Sequence, residues 1–363
     1  MSVRLLAVAA SLRRASLNRM LLANAVLAAR QAGAEVAEAE FAEFDVPAFN
    51  ADVQEASGFP AGAARFRERL EAADGLLLAS PEYNYSMPGH LKNLVDWVSR
   101  MRPVPLRGRS AFLMLSGPSL KQIDLSLLDA RGIVTMAVNN AWSVRRPTLW
   151  TCVDDPGRFI DVGWKDPGIM KFVPTCMWDK RLKVMNPDGT LRNSAFKVHQ
   201  MPGVLFFRRS DHFDHERFLT GDTVSWGNDA KNPDSLGITG KRSVMLVALR
   251  LLHYLGLSTV YLLGCDFKMD AERKYAFEEH RAANAIRHNN VLYDSLSRRF
   301  EALKPHFEKH RFRVVNCSPG SALEVFEKMA FEDAVKAAAS ECGKPIRTDG
   351  WYEPKPKPQE AAR

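Results

Sequence analysis

The chain has 363 residues, 46% of them hydrophobic and 25% charged. That is enough for about two hydrophobic cores, while no apolar run approaches the ~20 residues needed to cross a bilayer. The formal charge of +8 comes from basic residues spread along the chain, which suits phosphorylated small molecules better than a nucleic-acid groove. The expected partners are therefore small-molecule substrates, with no nucleic acid and no membrane. Five cysteines (Cys152, Cys176, Cys265, Cys317 and Cys342) are scattered and show no CxxC spacing. Neither a disulfide framework nor a zinc site is indicated, and a cytoplasmic location is expected. The opening MSVRLLAVAASLRR carries its apolar run before its paired arginines, the reverse of a secretory signal, and reads as a buried strand.

From there the pattern alternates. Strands are expected at Val3–Ala9, Glu35–Glu40 and Gly75–Ala79, and helices at Leu17–Gln31, Ala61–Ala73 and Gly89–Ser99. Such alternation predicts parallel pairing with right-handed crossovers, since parallel neighbours need a long connection. The proline-containing segment MRPVPLRGR interrupts, and a first domain is placed at 1–105. A second α/β domain, 106–335, is expected from strands at Ala111–Leu115, Ile133–Val138, Trp150–Val153, Val204–Phe207, Val260–Leu263 and Arg313–Val315. Its helices fall at Lys241–Leu255 and from Asn284 to about His306. Residues 156–237, aromatic and polar with several prolines, read as a loop insertion on the substrate side. The Pro/Lys-rich end, 345–363, reads as a disordered tail.

Two segments of the first domain carry chemistry. The first strand ends in AASLRRASLNRML, placing Ser11, Arg13, Ser16 and Asn18 where a strand becomes a helix. Backbone N–H groups, hydroxyls and a guanidinium in that position suit a phosphate monoester; the plainer reading is that Ser16 or Asn18 only caps the helix. The third strand runs into SPEYNYSMPGHLKNLVDWVSR at the carboxyl edge of the sheet, where open α/β folds bind ligands.

Together these segments resemble the NAD(P)H-dependent FMN reductase family, over roughly residues 3 to 115. The resemblance implies a flavodoxin-like fold with FMN and NAD(P)H as cofactors and pairing into a homodimer. It also implies that Ser11, Arg13, Ser16 and Asn18 hold the FMN phosphate while Pro81, Glu82, Tyr83, Asn84 and Ser86 line the isoalloxazine ring. Hydride would pass from NAD(P)H to the bound flavin and on to a small acceptor such as a quinone, with no protein acid or base required. The chain departs from the family in having Ala10 where a glycine is usual, which is expected to crowd the phosphate. It also departs after the fourth strand, AFLMLS, so the flavodoxin-like sheet is expected to be truncated. Its missing edge would come from the first strand of the second domain or from a partner chain, or the unit is a remnant.

The second domain offers SGPSLKQIDLSLLDARGIVTMAVNNAW and, much later, SLGITGKRSVMLVALRLLHYLGLSTVYLLGCDFKMD. Small residues in a turn after a strand let the backbone approach a phosphate. The pair resembles bacterial sialyltransferase-like glycosyltransferases and the wider GPSL-containing group that includes 6-hydroxymethylpterin pyrophosphokinase-like and phage-associated proteins. That resemblance implies a Rossmann-like nucleotide-binding domain for a nucleotide or nucleotide-sugar. Gly117, Pro118 and Ser119 would face its phosphates, Asn139 or Asn140 its nucleoside, and Gly237, Thr239 and Gly240 the opposite wall. A transfer reaction needs a base, for which His280 and His288 are candidates. Asp154 and Asp155 could hold a divalent metal, or could simply form an Asp-Pro turn with a helix cap. His212 and His215 in SDHFDHE read as a polar loop. The leading expectation is a fused FMN-dependent NAD(P)H oxidoreductase; the alternative is a nucleotide-dependent transferase with a vestigial flavodoxin-like attachment.

Overall fold

The computed structural model describes residues 3–101, 109–130, 132–159, 161–186, 190–210, 213–221, 225–226, 243–269, 275–277 and 284–340. Contacts divide the chain into two compact units, Met1–Pro105 and Leu106–Arg363.

Unit 1 contains β1 (Arg4–Ala9), α1 (Leu17–Gln31), β2 (Glu35–Ala39), α2 (Ala51–Ser57), α3 (Ala61–Glu71), β3 (Gly75–Ala79) and α4 (Gly89–Val98). Its sheet is parallel with strand order β2-β1-β3, so β1 lies in the middle, with Leu6 opposite both Ala37 and Leu76. Alternate residues of β1 serve opposite faces, as a strand requires. Ala7 and Ala9 meet Leu22 and Val26 of α1, while Leu6 and Val8 meet Phe41, Phe44, Phe66, Leu91 and Leu94. Gly62 lets α3 approach the chain beneath it, because a Cβ there would come within 2.1 Å of the Asp45 carbonyl oxygen. The Asn93 and Trp97 side chains on α4 tie down residues 47–49: the Trp97 indole donates to the Pro47 carbonyl at 2.8 Å, and Asn93 accepts from Phe49 N–H at 2.7 Å.

Unit 2 is built on a larger parallel sheet. Its strands are β4 (Ser110–Met114), β5 (Val134–Val138), β6 (Leu149–Thr151), β7 (Met170–Pro174), β10 (Val204–Phe207), β13 (Thr259–Leu263), β14 (Arg313–Asn316) and β15 (Glu327–Lys328), in the order β10-β7-β6-β5-β4-β13-β14-β15. β4 and β5 are buried along their whole length and correspondingly read as continuous apolar runs. The helices α6 (Val244–Tyr254) and α7 (Asn284–Lys309) supply apolar residues to one core. A second core takes Phe331 and Ala334 from α8 (Phe331–Ser340) together with Trp150 and Trp164. The short α5 (Asp161–Lys165), an antiparallel hairpin of β8 (Arg181–Met185) and β9 (Leu191–Lys197), and a two-residue ladder of β11 (Arg209–Ser210) with β12 (Ser225–Trp226) complete the described elements.

The expected loop insertion at 156–237 is thus corrected in its described part. β7 and β10 belong to the main sheet, β8 and β9 form a hairpin, and Trp164 is fully buried. The polar residues that suggest a loop include Lys171, a β7 side chain buried in the core region, whose ammonium donates to the carbonyls of Asp166, Ile169 and Pro202 at 2.5, 2.9 and 2.9 Å. Burial nonetheless pushes its pKa down to about 8. The first-domain sheet is short, as expected, but its edge is not extended by the next strand: β4 pairs with β5 and β13.

Candidate functional site

The first site lies at the carboxyl ends of β1 and β3, which run side by side with Ala9 opposite Ala79. Residues 10–16 form the turn from β1 into α1. The Ala10 N–H donates to the Ala79 carbonyl at 2.8 Å, and the His90 Nε2 lies 3.2 Å from the Ala10 carbonyl oxygen. The two sequence segments singled out above are therefore stitched together at one sheet edge. Ser16 is the N-cap of α1, and its hydroxyl oxygen accepts from the Asn18 N–H at 3.2 Å. Ser11 and Ser16 are buried, whereas Arg13 and Arg14 are exposed. Among the described residues no protein acceptor takes the N–H groups of Leu12 to Ala15 or of Leu17, while residues 14–15 form a hydrogen-bonded turn that engages the Ser16 N–H. This run of free donors, with one hydroxyl-lined wall and a guanidinium, fits an anion bearing several acceptor oxygens. Ala10 does not crowd it, since its methyl belongs to the buried cluster of Leu6 and Val8; that expectation is corrected.

Pro81 to Ser86 follow β3. Tyr83 and Ser86 exchange backbone hydrogen bonds of 2.9 and 3.1 Å, closing a two-residue turn in which Asn84 and Tyr85 have φ of 52° and 61°. Two positive φ values define the tight turn normally written Asn-Gly; a tyrosine in the second place carries about 1 kcal/mol of backbone strain. Tyr85 is 99% exposed, and Glu82, Tyr83, Asn84 and Ser86 also face solvent. All nine expected cofactor residues are therefore gathered on the ends of two adjacent strands. His90, which anchors the first turn, escaped the sequence reading although it sits in the quoted PGH segment.

In unit 2 the chain leaves β4 toward β5, β6, β7 and β10, then returns to β13 on the other side of β4. Ligand crevices form where strand order reverses in this way, and a cavity of about 370 Å³ opens there, lined by Ser116, Gly117, Asn139, Asp154, Asp266 and Tyr275 among others. Gly117 is obligatory, because a Cβ would sit 1.8 Å from Asp266 Oδ2. Ser119 donates to that same oxygen through its N–H at 3.3 Å and its hydroxyl at 2.9 Å, and the Gly117 N–H donates to the Gly264 carbonyl at 2.9 Å. For the phosphate role expected of Gly117, Pro118 and Ser119, the Ser119 donors are taken by the Asp266 carboxylate, the Gly117 N–H is taken by the Gly264 carbonyl, and proline has no donor. Burial raises the Asp266 pKa against the pull of those Ser119 hydrogen bonds.

Asn139 has φ 50° and lines the cavity, and its side-chain oxygen is buried without a hydrogen-bond partner among the described residues. Asn140 lines a smaller adjoining pocket with Asp154 and Tyr275. Gly237, Thr239, Gly240, His212 and His280 lie outside the described residues, as does the side chain of His288, whose backbone belongs to α7. Of the two readings of Asp154 and Asp155, the Asp-Pro turn with a helix cap is the one seen at Asp155. Asp154 pairs with Arg158 at 2.7 Å, and Asp155 pairs with Lys180 at 2.7 Å while capping the Gly157 N–H at 2.8 Å. Burial acts to raise the Asp155 pKa, but the lysine and the cap hold it below the usual carboxylate value. No cluster of three or more potential metal-ligating side chains occurs among the described residues.

A parallel α/β architecture, with an open anion turn beside a tight aromatic turn, defines a candidate cofactor-binding protein. Residues 3–152 match the family described as NADPH-dependent FMN reductase, which the N-terminal region resembles. The quinone reductase of Escherichia coli K12 is 45% identical over 71 residues, covering 20% of this chain and 38% of that protein. An NAD(P)H-dependent FMN reductase of Pseudomonas aeruginosa is 52% identical over 69 residues, covering 19% and 37%. The chain thus spans less than two-fifths of the length of these relatives. Among solved structures, the NAD(P)H:(acceptor) oxidoreductase FerB of Paracoccus denitrificans aligns at TM-score 0.23 and 21% identity over 43% of this chain and 64% of that one. The Campylobacter jejuni sialyltransferase CstII, solved with cytidine-5'-monophosphate, aligns at 0.32 and 14% over 62% and 86%.

Proposed function

We propose that unit 1 binds FMN and works as an NAD(P)H-dependent oxidoreductase delivering electrons to a small acceptor such as a quinone. The observation that carries this reading is the hydrogen bond from Ala10 N–H to the Ala79 carbonyl, which fastens the anion turn beside the Pro81–Ser86 segment. In this reading the N–H groups of residues 12–15 and Leu17, Arg13 and the Ser11 hydroxyl hold the phosphate, with Ser16 and Asn18 fixing the start of α1. The Tyr83–Ser86 turn offers backbone groups and the Asn84 amide along the ring. FMN held there supplies hydride acceptance and release. The chain positions the ring, leaves one side open for a nicotinamide, and needs no acid or base of its own. Residence in the cytoplasm belongs to the same reading, in keeping with the scattered cysteines, which form no disulfide among the described residues.

The test is the visible spectrum of the purified chain with added FMN, then NADPH without oxygen. Bound flavin that bleaches is the expected result; no binding at micromolar FMN would overturn the proposal.

A second reading rests on the buried, unpartnered Asn139 oxygen in the unit 2 cavity. An acceptor in that position suits a nucleoside or sugar bearing N–H or O–H groups, as a nucleotide-dependent transferase would require. With the Ser119 and Gly117 donors engaged, the ligand's contacts along this wall run through acceptors such as Asn139 and Asp266. Calorimetric titration with nucleotides and nucleotide-sugars tests it: binding weakened in Asn139→Ala supports the reading, and no binding of any of them rejects it.

A further inference from the structure

We propose that the outer face of α1 docks the chain onto an anionic lipid surface. A surface helix normally shows one apolar stripe, turned to the core. α1 has two. Leu22 and Val26 face the sheet. Leu17, Met20, Leu21, Leu27 and Ala28 recur at helical spacing on the opposite side, where Asn24 and Gln31 are the polar members of the row. The large residues of this outer stripe are exposed, from 57% at Leu27 to 78% at Leu17, and Leu12 in the preceding turn adds another at 60%. Five large apolar side chains gathered on one face of a folded surface mark an interaction site.

Charge identifies the occupant. The first 34 residues contain five arginines and no aspartate or glutamate. Arg4, Arg19 and Arg30 pair with Asp74, Glu40 and Glu38, respectively. Arg13 and Arg14 are exposed at the start of the stripe and form no ion pair among the described residues. An anionic headgroup layer complements this exposed basic rim at the start of the apolar stripe. With 15 residues, α1 is about 22 Å long, too short to span a bilayer and suited to lying in its interface. Arg13 is given to the flavin phosphate in the reading above, but Arg14 is not, so its charge and the α1 stripe are available whether or not unit 1 binds flavin.

The test is co-sedimentation of the full chain with phosphatidylcholine vesicles, with and without one third phosphatidylglycerol, at low and high salt. Binding to the anionic vesicles is expected, falling with salt. The double variant Leu21→Gln/Leu27→Gln should bind about tenfold more weakly. Both side chains are exposed, so its circular dichroism and melting temperature should match the parent. Arg14→Glu should weaken binding to the anionic vesicles and leave the uncharged ones unaffected. Binding that fails to distinguish anionic from neutral vesicles, or that is unchanged in the double variant, would overturn the proposal. So would a lipid-free dimer, seen by light scattering, that the double variant dissolves, because the stripe would then be covered by a second copy.

Discussion

The two units each contain a strand that turns through small residues into a helical segment, and the two turns have opposite fates. After β1, the N–H groups of residues 12–15 and of Leu17 are left without protein acceptors among the described residues. After β4, the corresponding donors are consumed by Asp266, a residue 147 positions away from Ser119, and by the Gly264 carbonyl. A phosphate can enter the first turn as the missing acceptor; in the second, a carboxylate has taken its place. What separates the open turn from the closed one is thus the presence of a distant acceptor. The turn's own composition does not decide it.

Removing that acceptor is the most forceful way to break the comparison. Asp266→Ala leaves the buried Ser119 hydroxyl and N–H unpaired, which should lower the stability of unit 2 by about 3 kcal/mol. The urea midpoint followed by tryptophan fluorescence is the readout, since Trp150 and Trp164 are fully buried in unit 2. Asp266→Asn keeps one acceptor and should lose less. If Asp266→Ala unfolds no earlier than the parent, the carboxylate is not what closes this turn.

In the open turn the matching change is Arg13→Ala. Its guanidinium is exposed, so stability should hold, while FMN affinity should fall by about 10- to 100-fold through loss of a charge-assisted contact. Fluorescence titration of flavin reads this directly. An unchanged affinity would mean that the backbone donors alone hold the phosphate.

Much of unit 1 was legible because its signals are local. The helix Leu17–Gln31 and the strand Gly75–Ala79 stand where periodicity and the Ser16 cap put them. β7 was missed because Lys171 and Pro174 interrupt its apolar run, and only the three carbonyls gathered round the ammonium explain a lysine there. The first candidate site could be read from two contiguous motifs. The engagement of Ser119 could not, since nothing near GPSL announces a partner in GCDF.

The units should also part under acid. Burial, with Arg250 and His310 adding repulsion, pushes the His253 pKa down to about 4. An unfolded chain takes up this proton near pH 6.5, so between pH 6.5 and 4 the unfolded state binds more protons and unit 2 loses stability as pH falls. Burial and the nearby Arg299 shift His215 the same way. After allowance for partial exposure the His253 contribution is roughly 1–2 kcal/mol. His253→Gln should flatten the fall of the tryptophan-monitored midpoint across that window, and an equally steep fall would place the acid sensitivity elsewhere.

The smallest effect concerns Tyr85, where unit 1 tolerates a conformation it could relieve. With φ of 61° and 99% exposure, its ring contributes almost no burial to offset the backbone strain. Tyr85→Gly removes that strain but gives the unfolded chain more freedom to lose, so the two terms nearly cancel and the net gain should be about 0.5 kcal/mol or less. A bulky aromatic with so little structural benefit, in the turn proposed to line the flavin ring, is a candidate for a role in activity. NADPH turnover with a quinone acceptor should then fall in Tyr85→Gly while flavin affinity stays constant. If turnover is also constant, the strain at Tyr85 is incidental, and the open turn after β1 carries the functional argument for unit 1 by itself.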